Sequence, residues 1–374
     1  MGQGPHEPEA VHVRRKEART GPRPGRALLG GGRMTLLGLD EDLKPVGYLP
    51  YINLQWTRRY YEIGEFSAQI CARDYDPAIA YLHAPERNET VIVQKVQTST
   101  NQKGRFVQLG GLFLTGLLKN DIMFPRYVYT DTPQGIAIDC VQTYCQIAGL
   151  TTETKITGGT PMPVDYLAGE ELSDLAQMLK TYEMAHELRF DFMTGKIVYR
   201  VWQALDRTQS QSVNAFAVFS PTMGNVQSLE INDDASDEKN YGIIINPTTG
   251  NLYVDLRKDA TQPQKQVFFY YWDREPEEGQ TVDDFKNAMI QEATEELEKR
   301  KRVLDVDVKT AQNTLLYRQD YDLGDKCDIV DAELGKSYEA RIVEAREVFK
   351  AGKHEVSLIF GDKTPTIFER MMLR

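Results

Sequence analysis

A hairpin pattern near residue 60 is the feature that most constrains the fold of this 374-residue chain. Apolar and polar side chains alternate from Ile52 to Trp56 and again from Phe66 to Ile70. Alternation with a period of two is typical of strands that bury one face. Gly64 ends the short connection between the two runs, which predicts a turn that needs positive φ. The sequence therefore predicts an antiparallel hairpin with Trp56 in the core.

Further strands are predicted before residue 130 and again after residue 224, where short β-forming runs are separated by turn residues. This spacing is typical of sandwiches and barrels. Between these regions, residues 133–149 and 169–184 have the apolar periodicity of helices. A third helix is predicted to begin at the capping residue Thr281. The pattern alone indicates an α+β protein with two β units.

Four sequence blocks are similar to those of a known family and follow its order. They read LQWTRRYYEIGEF at 54–66, VQLGGLFLTGLL at 107–118, DRTQ at 206–209 with VFSPTMGNVQS at 218–228, and YDLGDKCDIV at 321–330. With these blocks the chain resembles the siphophage tail-hub family, the ReqiPepy-type tail proteins related to the baseplate hub of T-even phages. The resemblance spans residues 35–365.

The resemblance implies an α+β phage baseplate or tail-hub fold, with two tail-tube-like β-barrel units that carry α/β insertions. The first unit is expected at residues 34–130, completed by about residues 196–230, with the α/β insertion at 131–195. The second is expected at 231–365 with a helical insertion at 281–302, followed by a C-terminal tail at 366–374. No sequence repeat between the two units is apparent.

The resemblance also implies a structural protein of the virion and not an enzyme. Its expected role is a homotrimeric ring at the tail tip, assembled in the bacterial cytoplasm, that joins a sixfold tail tube to a threefold tip. The implied partners are the tail tube and distal tail proteins, a tip fibre or spike protein and the tape-measure protein. DNA is expected to pass through the ring without specific binding, and neither a cofactor nor stable membrane association is expected.

Candidate interface residues come from the blocks, from the strand predicted at Gln266–Trp272 and from the apolar stripe of the third helix. Arg58 and Arg59 have two interpretations: ion pairs across a subunit boundary or, as we favour, local pairs with Glu62 or Glu65 across the hairpin. The full set is Trp56, Arg58, Arg59, Gly64, Glu65, Phe66, Tyr270, Trp272, Phe285, Met289, Leu297, Gly324 and Asp325.

Two other function classes remain as alternatives. A receptor- or carbohydrate-binding tail protein would stack sugars on Tyr270, Tyr271 and Trp272. A cell-wall hydrolase would need paired carboxylates or a Ser/His/Asp set, and no motif selects one. Residues 320–325 faintly resemble a calcium loop, but Asp331 stands where such a loop carries glutamate.

The first 33 residues differ in composition from the rest, with seven Lys and Arg against three Asp and Glu. We interpret them as a disordered or non-native extension, and the alternative is a basic arm that binds nucleic acid. The remaining residues carry 37 Lys and Arg against 52 Asp and Glu. Such an acidic body disfavours binding of nucleic acid to the surface and is compatible with a channel for DNA.

Overall fold

A computed structural model describes residues 34–361 apart from 126, 157–160, 167–168, 247–251, 258–266, 272, 277–280, 299 and 301. The predictions for residues 1–33, for the tail at 366–374 and for Trp272 lie outside the described residues. The first described strands are β1 Leu37–Leu39, β2 Pro45–Tyr48, β3 Asn53–Arg59, β4 Glu65–Cys71, β5 Tyr81–Ala84, β6 Glu89–Ile92, β7 Lys95–Asn101, β8 Gly104–Leu112 and β9 Tyr127–Asp131.

The middle of the chain contains short strands and a longer edge strand. These are β10 Thr151–Thr152, β11 Met162–Tyr166, β12 Ala185–Asp191, β13 Lys196–Trp202, β14 Val218–Phe219 and β15 Val226–Asp234. The remaining described strands are β16 Tyr241–Asn246, β17 Leu252–Arg257, β18 Val267–Tyr271, β19 Val303–Thr310, β20 Lys326–Asp331, β21 Lys336–Lys350 and β22 Lys353–Gly361.

The described α-helices are α1 Pro133–Tyr144, α2 Leu175–Thr181 and α3 Val282–Glu298. The second predicted helix is shorter than expected, because residues 172–174 form a 3₁₀ turn ahead of α2. In α3 the predicted apolar stripe is confirmed, since all its members are buried and the first three cluster with Ile244. The stripe consists of Phe285, Met289, Ala293 and Leu297.

One large sheet dominates the fold, with the strand order β15-β19-β22-β21-β3-β4-β8-β7 and with β20 and β14 branching from β21. Every neighbouring pair along this path is antiparallel. The path has two halves of four strands. When each half is numbered by chain order, β3-β4-β8-β7 and β15-β19-β22-β21 both read 1-2-4-3 in the same direction. The two halves therefore repeat one strand order.

The halves meet where β3 pairs with β21, through seven residue pairs from Arg59 opposite Glu344 to Asn53 opposite Lys350. The strand-rich character predicted from the sequence is confirmed, but none of the described sheets closes into a ring. Strands from both predicted units share one sheet, so two separate barrels are not what the described strands form.

The three largest apolar clusters of the described residues pack against strands. One is built around Trp56 and strands β3, β4 and β8, and a second around Phe219 and strands β19–β22. A third packs α1 and α2 against β12 and β13. Full burial of a large apolar side chain contributes about 1.5–3 kcal/mol. These clusters fix the backbone that positions the charged groups described below.

Two predictions about the first half were wrong in detail. Gly64 does not have positive φ; it is needed because a Cβ there would lie 2.5 Å from the carbonyl oxygen of Thr57 and 2.8 Å from the Phe113 ring. The run ETVIVQKV at residues 89–96 predicts a single strand, but β6 pairs with β5 while β7 pairs with β8. The chain changes sheets between Ile92 and Lys95, which interrupts the strand.

Candidate functional site

The four sequence blocks, far apart in the chain, converge beside the join between β3 and β21. Arg58 of the first block donates to Asp322 of the fourth at 2.7 Å. Arg207 of the third block donates to Asp325 of the fourth at 2.6 Å. The Phe113 ring of the second block packs edge-on against Trp56, with 5.0 Å between centroids. The family pattern therefore marks the interior that holds the two halves together.

Glu89 is the centre of a buried ion cluster at this place. Its carboxylate accepts from Trp56 Nε1 at 2.8 Å and from Arg318 Nη1 at 2.7 Å, and it lies 3.0 Å from Arg58 Nε. Burial alone would raise the pKa of Glu89, but Arg318 and Arg58 outweigh that effect and hold the pKa well below its usual range. The carboxylate is therefore ionised at neutral pH.

Arg58 connects this carboxylate to the loop that precedes β20. Its Nη1 donates to the Tyr317 hydroxyl at 2.8 Å as well as to Asp322. Burial raises the pKa of Tyr317 far above its ordinary value, so the phenol keeps its proton. Arg58 as a whole is only 6% exposed, and its guanidinium has a polar partner on each side.

Arg87 makes a parallel contact on the other side of the cluster. Both of its terminal nitrogens reach Glu347 on β21, one of them at 2.8 Å, and His354 Nε2 lies 2.7 Å from the same carboxylate. The His354 ring stacks on Phe349, with 4.4 Å between centroids. Burial acts to raise the pKa of Glu347, but the hydrogen bond from His354 and the charge of Arg87 leave it lowered.

We call these six charged side chains the junction cluster. Three arginines face three carboxylates, and the members come from β3, the β5–β6 hairpin, the loop after β19 and β21. Paired and hydrogen-bonded charges are tolerated in a protein interior, whereas the loss of one partner is costly. The arrangement fastens the two halves together. The junction cluster consists of Arg58, Arg87, Glu89, Arg318, Asp322 and Glu347.

The favoured local pairing is confirmed for Arg59 and wrong for Arg58. Arg59 contacts Glu65 at 2.9 Å and Glu62 at 3.8 Å, and it also reaches Glu344 across the join at 2.9 Å. Arg58 lies two residues after Trp56, so strand alternation places it on the core face. That spacing was the signal that could have predicted a buried arginine.

Other candidate residues of the first and fourth blocks also lie inside the chain. Phe66 is buried with its ring centroid 6.1 Å from that of Trp56. Gly324 has φ +88°, and a Cβ there would overlap the Tyr60 ring. Asp325 accepts from the backbone nitrogen of Leu205 at 2.9 Å in addition to Arg207. The carboxylates of Asp322 and Asp325, in the segment that resembles a calcium loop, thus bind arginines.

The remaining candidates fall in the second β region. The α3 stripe packs within the chain, as described above. The side chain of Tyr270 and the whole of Trp272 lie outside the described residues, while Tyr271 on β18 is 63% exposed.

The described residues offer little that resembles a catalytic or metal centre. Within them, no group of three or more His, Cys, Asp or Glu side chains could hold a metal ion. His186 is half-buried, with Nδ1 3.0 Å from the Tyr199 hydroxyl, and its removal from water lowers its pKa to about 4. A cleft of about 240 Å³ lies beside the C-terminal end of α1, lined by Val141, Gln142 and Cys145 among others. In the described part of the chain, each helix is too short or too polar to span a membrane.

Residues 36–362 match the family of Siphovirus ReqiPepy6 Gp37-like proteins. This match covers well over half of the chain. The chain belongs to the siphovirus Gp37-like family. No curated protein matches its sequence.

Solved structures of prophage tail proteins share the fold. The tail protein from Neisseria meningitidis MC58 superposes with a TM-score of 0.58 at 13% identity, covering 88% of this chain and 96% of that one. The 43 kDa tail protein of prophage MuSo2 from Shewanella oneidensis gives 0.57 at 14% identity, covering 87% and 97%. Prophage tail protein gp18 from Listeria monocytogenes EGD-e gives 0.55 at 9% identity, covering 90% and 97%.

Proposed function

We propose that this Gp37-like chain is a structural tail hub of a long-tailed phage or prophage. Three copies form a ring at the tail tip, which joins the sixfold tail tube to a threefold fibre or spike. The ring continues the channel for DNA and for the tape-measure protein, and it contacts the distal tail proteins. The protein acts as a building block of the virion, assembled in the host cytoplasm, and catalyses no reaction.

The repeated strand order is the observation that carries this proposal. One chain supplies two four-strand units of the same topology, and the units lie edge to edge in one sheet. Three such chains supply six similar units around an axis, which matches a sixfold tube. Because the two units differ in sequence, the same ring has only threefold symmetry on its outside. A head-to-tail interface that closes produces such a ring.

The junction cluster has a mechanical role in this proposal. A hub has to keep its two units in fixed positions while it is held between a tube and a tip. The buried members of the cluster, Arg58, Glu89 and Glu347, resist sliding of β3 along β21, since a displacement would leave a buried charge without its partner. Candidate residues such as Arg58 contribute to this role within one chain, at the join. Contacts of the candidate residues with another copy are part of the proposal.

We also propose that the tail-tube-like units correspond to the expected domains. The first four-strand half lies within residues 34–130, and the second within 231–365 apart from the first residues of β15. The segment at 131–195 and the α3 region then form insertions on the outside of the ring. A barrel would arise between copies and not within one chain.

The solution mass of the full chain tests the proposal. Light scattering on a sizing column is expected to give a particle close to three times the 42.6 kDa of one chain. Electron-microscope images of that particle are expected to show a ring with a central channel. A second sample with purified tail tubes tests whether the ring caps the tube end. A chain that stays monomeric both alone and with tubes contradicts the proposal.

The carbohydrate-binding alternative rests on Tyr271, which is exposed on β18. A glycan array probed with the full chain and with Tyr271→Ala separates the two functions. Sugar binding that the substitution abolishes, in a protein that forms no ring, favours the alternative. We rank it second because a single described aromatic side chain is a small platform for a sugar.

A further inference from the structure

We infer that the loop formed by residues 205–217, between β13 and β14, binds an apolar socket with a basic border on a different protein of the tail. The inference goes beyond the proposed ring, because it assigns this loop to a contact with another protein and not to a contact between copies of the chain. It rests on the hydrogen bonds, the exposure and the charge of the loop.

The two ends of the 205–217 loop are fastened to each other and to β20. The backbone nitrogen of Ala217 donates to the carbonyl oxygen of Arg207 at 2.9 Å, which closes the loop at its base. The backbone nitrogen of Gln209 donates to the Asp328 carboxylate on β20 at 2.8 Å. The residues between these ends therefore leave the body of the protein and return to the same place, as in an Ω-loop.

Polar groups hold the shape of the loop from within. Gln211 Nε2 donates to the carbonyl oxygens of Thr208 at 2.9 Å and of Asn214 at 3.1 Å. Its Oε1 accepts from the backbone nitrogens of Val213 at 2.6 Å and of Asn214 at 2.8 Å. The fully buried Thr208 hydroxyl donates to Asp206 at 2.7 Å. A loop fixed in this way loses little conformational freedom when it binds a partner.

Three apolar side chains of the same loop are exposed to solvent. The exposed fraction is 45% for Leu205, 89% for Val213 and 52% for Phe216. A single exposed apolar residue is common on protein surfaces. Here three of them belong to one short loop whose polar groups are bonded inside it, which reverses the usual distribution. Apolar surface in water is unfavourable, and a partner that covers it removes this cost.

The middle of the loop is neutral and its base is acidic. Residues 208–217 contain no charged residue, whereas 26% of the whole chain is charged. Asp206 and Asp328 at the base form no ion pair within the described part of the chain. The basic side chains nearby already have carboxylate partners, in the pairs Lys326–Glu339, Arg207–Asp325 and Arg341–Glu183. The base of the loop therefore has an excess of negative charge.

These features specify the chemistry of the partner. An apolar socket covers the side chains of Leu205, Val213 and Phe216, and Lys or Arg at its border complements Asp206 and Asp328. Another copy of this chain is disfavoured as the partner, since the chain carries 44 Lys and Arg against 55 Asp and Glu. The loop is therefore assigned to a different protein of the tail.

Photo-cross-linking from the loop in assembled tails tests the inference. The full chain is produced with p-benzoylphenylalanine in place of Phe216, in cells that express complete tails, and mass spectrometry identifies the cross-linked peptides. We expect a cross-link to one tail protein other than this chain, at an apolar residue with Lys or Arg beside it. A cross-link to a second copy of this chain overturns the inference. The absence of any cross-link in tails that contain the chain also overturns it.

The matched control places the same probe at Met193, which is 91% exposed at the other end of β13. The seven residues of β13 span about 20 Å, so the control position is away from the loop. It is expected to give no cross-link to the protein that the Phe216 position captures. The same product from both positions overturns the inference.

The captured protein is then purified and titrated with the full chain. Val213→Ser combined with Phe216→Ser is expected to raise the dissociation constant at least about tenfold, because both apolar contacts are lost. Asp206→Asn keeps an oxygen for Thr208 and removes the charge, and it is expected to raise the constant about threefold at low salt. Met193→Ser is the control and is expected to leave the constant unchanged.

Thermal unfolding and light scattering separate this inference from the proposed hub. All the substituted side chains are exposed, so every variant is expected to stay folded and to form the same oligomer as the natural chain. A double variant that binds the captured protein as tightly as the natural chain does overturns the inference and leaves the hub standing. An Asp206→Asn variant with unchanged binding overturns the basic border. A natural chain that never forms a trimer overturns the hub and not the loop.

Discussion

The join between β3 and β21 differs from the two outer edges of the large sheet, at β7 and β15, in the burial of its charged side chains. At the join, Glu89 is 4% exposed and Glu347 is 1% exposed, and each is bound by arginine. At the β7 edge the lysines are exposed to solvent. Buried charges are strongly coupled, whereas exposed charges are screened by water and salt. The charges of the join are therefore strongly coupled to their partners, whereas those of the β7 edge interact only weakly with other charges.

The largest expected effect comes from removing the central charge of the join. Glu89→Gln keeps the shape of the side chain but leaves Arg58 and Arg318 without their shared carboxylate. We expect the free energy of unfolding to fall by about 3–5 kcal/mol, the cost of an uncompensated buried charge. Urea denaturation of the full chain measures it.

The matched control for that variant is Glu355→Gln, which removes an exposed carboxylate paired with Lys309 at 2.8 Å. It is expected to leave the unfolding curve unchanged within error, since exposed pairs contribute little. Equal effects of the two substitutions would show that the junction cluster is not the stabilising feature described here.

Gly324→Ala is expected to have the next largest effect. Gly324 has φ +88°, and its position against Tyr60 leaves no room for a Cβ. Backbone strain of about 1–3 kcal/mol is then added to an overpacking cost of about 1–3 kcal/mol. Gly335→Ala is the control, because Gly335 also has positive φ but no neighbour within 4 Å. Unfolding curves that shift equally for the two variants would contradict tight packing at the join.

Trp56→Phe tests the contribution of a single hydrogen bond at the join. The substitution removes the indole nitrogen that donates to Glu89 at 2.8 Å and keeps an aromatic ring in the core. Loss of a hydrogen bond to a charged group is expected to cost about 1–3 kcal/mol. A double-mutant cycle with Glu89→Gln isolates the coupling. Additive effects would mean that the bond contributes nothing of its own.

The smallest expected effect is a dependence of stability on pH. The pKa of Glu347 is lowered in the folded chain, so its contribution is fully present above the unfolded pKa of about 4.3. It is lost as pH falls below that value toward the folded pKa, by about 1.4 kcal/mol for each unit of lowering. The stability difference between the natural chain and Glu347→Gln should therefore shrink as pH falls from about 4.3 toward pH 3. A difference that grows at low pH would contradict the assignment.

Local features of this fold could be predicted from the sequence. The β3–β4 hairpin follows from alternation within 20 residues, and the α3 stripe follows from contacts three or four positions apart. The repeated strand order could not be predicted, because the two halves share no apparent sequence pattern and pairing order is a property of the sheet.

The junction cluster could not be predicted from the sequence for a different reason. Arg58 binds Asp322, which lies 264 positions later in the sequence, and no local pattern encodes a contact over that separation. The family blocks did mark the right place, since Arg58, Gly324 and Asp325 all lie at or beside the join. The prediction that glycine is required at residue 64 was correct, but its reason was wrong. The close approach of Thr57 and Phe113 requires glycine there, and the backbone conformation does not.

The residues of the junction cluster are synthesised at widely separated times, and this order has a consequence for folding. Arg58, Arg87 and Glu89 leave the ribosome long before Arg318 and the other late members. During that time two arginines share one carboxylate, and the β3 edge has no partner. A nascent or truncated chain is thus held in an unfinished state, with long-range contacts that form slowly. The last quarter of the sequence completes the interior, so the fold itself distinguishes a finished chain from an incomplete one.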